Sequence, residues 1–486
     1  MSYRSADDLL ARLGPAARIS GERLELLDET LFRDERVDEV VFEAVFNDDP
    51  SVREACSWVI WSASQTLGCG SASIHELYRA RGRGEFDPTR FTTPAINVRA
   101  AAYLTARQAF IAARERDAGA LIFEIAKSEM AYTAQRPAEY TTVILAAAIR
   151  EGWTGPVFLQ GDHFQFNATS WRSDPEKELE GLRSLTREAL GAGFLNIDID
   201  SSTLVDLSKP TVAEQQRVNA ENTVDLARLI RGLEPDGVTV SIGGEIGEVG
   251  KANSTEEELR AYLDEYQTRL GTDLVGLSKA SVQTGTSHGG VPLADGSIAE
   301  VKIDFDTLRR LSTLAREEYG LAGCVQHGAS TLPEDAFHHF PASGTAEIHL
   351  ATGFQNILYD GGGLPAELRA EMMEWTRANC ADERSEGQTD EQFLYKARKK
   401  AIGPFKRQLW TLPDSAAREI ARQLGDKMGL LFDRLGIAGT RELVDRFITP
   451  AALSRPLPAA LGGEHRAAVT AGGPKRRGRP ARPGPG

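Results

Sequence analysis

Residue types able to do chemistry recur at six points of this 486-residue sequence, each at or just after the end of a short apolar run. Gly161-Asp162-His163 follows PVFLQ, and Asp198 and Asp200 with Ser201-Ser202 close FLNIDI. Gly243-Gly244-Glu245-Ile246-Gly247-Glu248 follows VTVSI, and Thr286-Ser287-His288-Gly289-Gly290 comes after LVGLS. CVQH ends on His327, followed by Gly328-Ala329-Ser330-Thr331, while AEIHL carries His349 ahead of Thr352-Gly353. Three imidazoles with a carboxylate or a water suit a catalytic Zn²⁺ or similar divalent ion that keeps one position open for substrate. Asp162, directly before His163, adds a general acid/base within reach of such an ion. HGAST and ATGF, around Gly328, Ser330 and Thr352, place small residues where backbone N–H groups can approach phosphate. The turn G-E-I-G-E-V-G is no dinucleotide fingerprint, because it lacks the GxGxxG spacing and an acidic partner about 20 residues on.

Elements that would hold these residues can be read from the same pattern. Candidate strands are PAINV (94–98), ALIFEI (120–125), PVFLQ (156–160), FLNIDI (194–199), VTVSI (238–242), LVGLS (274–278), CVQH (324–327) and AEIHL (346–350). Amphipathic stretches such as EKELEGLRSLTREALGAG and NTVDLARLIRGL separate them. Strand–helix alternation implies a parallel sheet, and eight such units match the count of an α/β (β/α)₈ TIM barrel. A doubly wound open sheet shares the alternation but has no reason to stop at eight. In a barrel the loops after the strands form one rim, so the six segments would converge there.

The chain is two to three times a typical domain, and its flanks differ from the middle. Residues 1–88 read as a helical extension, 89–366 as the barrel, 367–452 as a second helical region and 453–486 as a disordered Pro/Gly-rich tail. His75 lies on a charged helical pattern and is expected at the surface. His338 and His339 fall on a helix after the seventh strand and are not expected to bind a ligand. The C-terminal helices are expected to serve packing or oligomer contact. The tail carries seven basic residues against Glu464, so it is +6 while the rest of the chain is −20. That acidic body argues against a general nucleic-acid coat. Cys56, Cys69, Cys324 and Cys380 form no CxxC pair, which disfavours a disulfide framework. No run is long enough to span a membrane and the start has no leader pattern, so a cytoplasmic protein is expected.

Taken in order, PAINVR, GDH, GFLNIDIDSST, GGEIGEVG, TSHGG and CVQHGAST resemble the class II, metal-dependent fructose-bisphosphate/tagatose-bisphosphate aldolase family over roughly residues 90–365. The resemblance implies that His163, His288 and His327 ligate zinc or another divalent ion, with Glu245 as the carboxylate that ligates or approaches it. Asp200 is similar to an acidic residue at an alternative metal position. Asp162 resembles the residue that exchanges a proton with the hydroxyl at the cleaved bond. Gly328 and Ser330 correspond to the phosphate-binding turn, and His349 and Thr352 fall where substrate and phosphate groups are contacted. The implied activity is cleavage or formation of a phosphorylated ketose, such as fructose 1,6-bisphosphate, through a metal-stabilised enediolate. A homo-oligomer is expected.

Three positions depart from the family pattern. Lys251-Ala252-Asn253-Ser254 replaces an acidic run, which removes the usual proton shuttle and leaves Glu248 as the candidate replacement. His349-Leu350-Ala351-Thr352-Gly353 stands where the family has Asn-x-Asp-Thr-Asp, and Ala329 replaces a glycine. These changes motivate an alternative, a non-catalytic barrel subunit that stabilises or regulates a partner enzyme. Within the tail, Arg477-Gly478-Arg479-Pro480 resembles an AT-hook, which makes 475–482 a candidate DNA contact.

Overall fold

The structure is a computed structural model, described here for residues 2–247, 252–285, 303–330 and 332–464. His288, Glu248 and the 475–482 segment lie outside the described residues. Eight strands run parallel: β1 (Thr93–Asn97), β2 (Ile122–Ala126), β3 (Val157–Gln165), β4 (Asn196–Asp200), β5 (Ser241–Glu245), β6 (Lys279–Val282), β7 (Cys324–Gln326) and β8 (Glu347–Leu350). Each pairs with the next, and β8 returns to β1 through Glu347↔Thr93 to Leu350↔Ile96. The sheet is therefore closed, as a (β/α)₈ TIM barrel requires.

Local chemistry explains the outer ring. Thr211 and Glu214 form a capping box at the start of the helix Val212–Leu233, and Thr255 and Glu258 do the same for Glu256–Leu270. Each satisfies backbone N–H groups that the first turn would otherwise leave bare, a contribution of about 1 kcal/mol. Pro137 and Pro175 stand at first helical positions, where the missing N–H costs nothing. The helix after β7 is only His339–Ala342, with His338 just before it, and both histidines are exposed.

Two strands differ from the sequence expectation in ways that matter. β3 does not stop at Gln160 but continues through Asp162 and His163 to Gln165. β6 is Lys279–Val282 rather than 274–278, and Leu274 and Val275 are exposed. An apolar run is a strand only if the barrel can bury it, and here closure selects the more polar stretch that follows.

The N-terminal region is not wholly helical. Ala17–Ser20 and Arg23–Leu26 form an antiparallel hairpin, and Ser71–Ala72 adds a short parallel strand beside the start of β3. His75, expected at the surface, is 3% exposed, with the preceding Ile74 N–H bonded to Asn196. Burial, followed by the charge of Arg231, pushes its pKa down to about 3. The helix Asp414–Arg434 packs on Ala102–Arg114, and Arg116 clamps Asp433 with two hydrogen bonds of 2.9 and 3.1 Å. One continuous apolar core includes residues of the N-terminal region, the barrel and the C-terminal helices. All four cysteines are free and buried. Among the described residues no helix is long and apolar enough to cross a membrane.

Candidate active site

The site begins at an irregularity in β3. Pairing with β4 runs Gln160↔Asn196 and Gly161↔Ile197, then jumps to Phe164↔Ile199, so β3 carries one extra residue. Such a bulge re-aims side chains. His163 takes the strain as a left-handed residue, φ +41°. Gly161 permits it, because a Cβ there would meet the Phe164 ring at 2.5 Å.

Asp162 and His163 are thereby turned toward the ends of β4, β5, β7 and β8. His163 Nδ1 lies 3.0 Å from Asp200 Oδ2 and 3.1 Å from Glu245 Oε2. The His163 and His327 rings stand 4.2 Å apart, centroid to centroid, and Asp162 Oδ1 is 3.8 Å from Nε2 of each. His327 Nδ1 is 3.8 Å from Glu245 Oε1. Five of the residues expected in the site thus converge. Gly328, Ser330 and Thr352 line the same cavity of about 320 Å³. Gly353 N–H donates to Ser330 Oγ at 3.2 Å, which joins the loops after β7 and β8. His349 lies deeper, its Nδ1 3.1 Å from both Asp162 and Glu124 and its Nε2 2.7 Å from Glu347.

Below this layer the barrel holds a charged network that the sequence reading missed. Lys279 Nζ donates to Asp198 at 3.0 Å, to Gln160 at 2.8 Å and to Glu347. Tyr78 from the N-terminal region donates to the other Glu347 oxygen at 2.5 Å. The available signal was a charged residue inside an apolar run: Glu124 in ALIFEI and Glu347 in AEIHL. Glu347 and His349 share a face by the two-residue period of a strand. Lys279 was hidden because the strand containing it was displaced.

Electrostatics follow from the crowding. Burial, then the Asp200 charge, raises Glu245 to about 7. Burial works against the charged form of His163, but Asp162 and Glu245 outweigh it and hold the imidazole well above its ordinary value. Asp200 is lowered despite burial, chiefly by its hydrogen bond to His163 and then by the His163 charge, Ser202 and Gln165. Glu347 is lowered to about 2 against its burial by Lys279 and His349, whereas burial lifts Asp198 to about 6. Glu124 is raised by burial and by Asp162.

This donor set fits a divalent ion. Ligand atoms of Asp162, His163 and His327 lie within 4.8 Å of one another, as do those of His163, Asp200 and Glu245. Two imidazoles and three carboxylates gathered at the strand ends are the nitrogen and oxygen donors such an ion takes.

Comparison with known proteins agrees with the motifs. The family model for class II fructose-bisphosphate aldolases matches residues 87–407, and the chain belongs to that family. Aldolase-type lyase chemistry goes with it. No curated protein matches the sequence. Among solved structures, a probable tagatose 6 phosphate kinase from Sinorhizobium meliloti is 19% identical, with 76% of this chain and 96% of that one covered and a TM-score of 0.48. A fructose-bisphosphate aldolase from Campylobacter jejuni is 17% identical, with 76% and 97% covered and a TM-score of 0.44. The fructuronate-tagaturonate epimerase UxaE from Cohnella laeviribosi is 13% identical, with 71% and 82% covered and a TM-score of 0.46.

Proposed function

We propose that the protein is a metal-dependent aldolase that cleaves or forms a phosphorylated ketose. The observation that carries this reading is the position of Asp162, whose Oδ1 lies 3.8 Å from Nε2 of both His163 and His327 and 3.1 Å from Nδ1 of His349. Its carboxylate is set to take the proton of the substrate hydroxyl as the adjacent carbon–carbon bond breaks. The hydroxyl becomes the aldehyde carbonyl, and the bonding pair passes to the carbon beside the ketose carbonyl. Condensation reverses both transfers, with Asp162 returning the proton. His349, fixed through Nε2 by Glu347, holds the Asp162 carboxylate in place through Nδ1.

A divalent ion, zinc by preference, would be held by His163, His327 and Glu245, with His288 and Asp200 as further donors, and would supply Lewis-acid stabilisation of the developing oxygen charge. Gly328, Ser330 and Thr352 are assigned to the phosphate through backbone N–H groups and hydroxyls. The test is metal analysis of wild type, His327→Ala and His288→Ala, coupled to cleavage and condensation assays over a panel of ketose phosphates. One tightly bound ion with chelator-sensitive cleavage, both lost in each variant, is expected. Bound metal with no turnover on any member of the panel would overturn the reading in favour of a non-catalytic barrel.

A further inference from the structure

The N-terminal region closes the floor of the barrel. Its helix His75–Gly82 is tied to the entry of four strands. Asn196, the first residue of β4, accepts from the Ile74 N–H at 2.9 Å, and its side-chain amide donates to the Ala72 carbonyl at 3.2 Å. Arg79 donates to the Gly320 carbonyl, ahead of β7, at 2.8 Å. Arg81 donates to the Phe91 carbonyl, ahead of β1, at 2.8 Å and to that of Thr345, ahead of β8, at 2.9 Å. Gly82 comes so close that a Cβ would stand 2.3 Å from the Gly320 oxygen. Charge-assisted bonds of this kind fix position as well as adding energy.

Tyr78 is the residue of this helix that reaches the charged network inside the barrel. Its Oη donates to Glu347 Oε2 at 2.5 Å, and both side chains are buried. Glu347 Oε1 is crowded: it takes Gln160 Nε2 at 2.7 Å, His349 Nε2 at 2.7 Å and Lys279 Nζ. Among the described residues, Oε2 takes Tyr78 alone. Three donors thus meet on one oxygen, and the Tyr78 bond decides how the carboxylate is turned about that point. Burial and then the Glu347 charge hold the phenol well above its ordinary pKa, so it stays a donor. No exposed surface lets water replace the bond.

From Glu347 the contacts run on to the site. His349 takes up Glu347 through Nε2, and its Nδ1 stands 3.1 Å from Asp162 Oδ1. Four buried side chains therefore link the helix on the floor to the candidate acid/base at the strand ends. Bonds in such a chain support one another, so a loss at one end is felt at the other. Misplacing a reacting group by about 1 Å can cost roughly a hundredfold in rate.

We infer that Tyr78 is a positioning residue, which through Glu347 and His349 sets the Asp162 carboxylate; this rests on the aldolase reading above. The N-terminal region then takes part in the reaction without touching substrate. Tyr78 lies ahead of residues 87–407, so the stretch that matches the family does not contain this anchor.

Metal content, KM and kcat are measured on metal-loaded full-length protein with whichever ketose phosphate is turned over. Wild type, Tyr78→Phe, His349→Asn, the double variant of these two and the control Tyr103→Phe are compared. Tyr103 Oη also donates to a carboxylate of the N-terminal region, Asp38, at 2.5 Å, but Tyr103 does not line the cavity of the site. Tyr78→Phe is expected to lower kcat about tenfold, with KM and metal content within about twofold of wild type. Tyr103→Phe should match wild type. In the His349→Asn background Tyr78→Phe should lower kcat no further, because the path it acts through is already cut. If thermal melts show that Tyr78→Phe does not fold, Glu347→Asp decides. It keeps the charge beside Lys279, draws the carboxylate away from His349 and should lower kcat with KM unchanged; wild-type kcat there overturns the inference. Wild-type kcat in Tyr78→Phe, losses that add in the double variant, or metal lost in step with kcat would overturn it and leave the aldolase reading standing. Wild type that turns over no ketose phosphate overturns the aldolase reading, and the inference with it.

Discussion

His349 Nδ1 and Asp162 Oδ1 stand 3.1 Å apart, so the last strand of the barrel holds the candidate acid/base of the third. The contact is buried, both residues being 5% exposed. It explains why a histidine can stand where the family pattern has asparagine: the ring gains carboxylate partners on both nitrogens.

Replacing Asp162 by asparagine keeps the shape and removes the proton acceptor, so kcat should fall by about 100- to 10,000-fold with metal content retained. His349→Asn should reduce kcat less, because it loosens Asp162 rather than deleting it. Single-turnover kinetics with metal analysis checks both, and an Asp162→Asn enzyme of wild-type rate would remove Asp162 from its role.

Lys279 is 1% exposed, with Glu347 and Asp198 against it. Lys279→Met leaves those carboxylates buried without their cation, which should cost about 3–5 kcal/mol in denaturant unfolding. The double variant Lys279→Met/Glu347→Gln should be more stable than the single one, since the neutral amide no longer needs the ammonium. A single variant as stable as wild type would show that the pair is not coupled in this way.

His75 yields a pH prediction away from the site. Its pKa is lowered from 6.5 to about 3, so the folded state holds it neutral while the unfolded chain protonates it below 6.5. The stability it contributes is complete above pH 6.5 and is lost as pH falls toward 3. Between pH 6.5 and 5 the loss approaches about 2 kcal/mol. The unfolding free energies of wild type and His75→Asn should diverge by that amount across this range, and a constant difference would exclude it.

Much of this architecture was legible because strand–helix alternation is local. An apolar run between two turn signals is written in adjacent residues, and seven of the eight expected strands overlap observed ones. The exception, 274–278, failed for a physical reason: Lys279-Ala-Ser-Val reads as a poor strand until the carboxylates that receive Lys279 are in place. His75 failed likewise, since its helix looks charged all round and is covered by residues distant in the chain, among them Leu195, Val238 and Phe447.

Sequence alone determined the eight units, the family, and the acids and histidines that end the strands, because each belongs to a short continuous motif. Tertiary structure decided how they meet. The bulge that turns Asp162 and His163 inward depends on pairing with β4, and the His349–Asp162 contact on closure of the barrel. Register, closure and docking are set by contacts between residues far apart in the chain, and no local pattern records them.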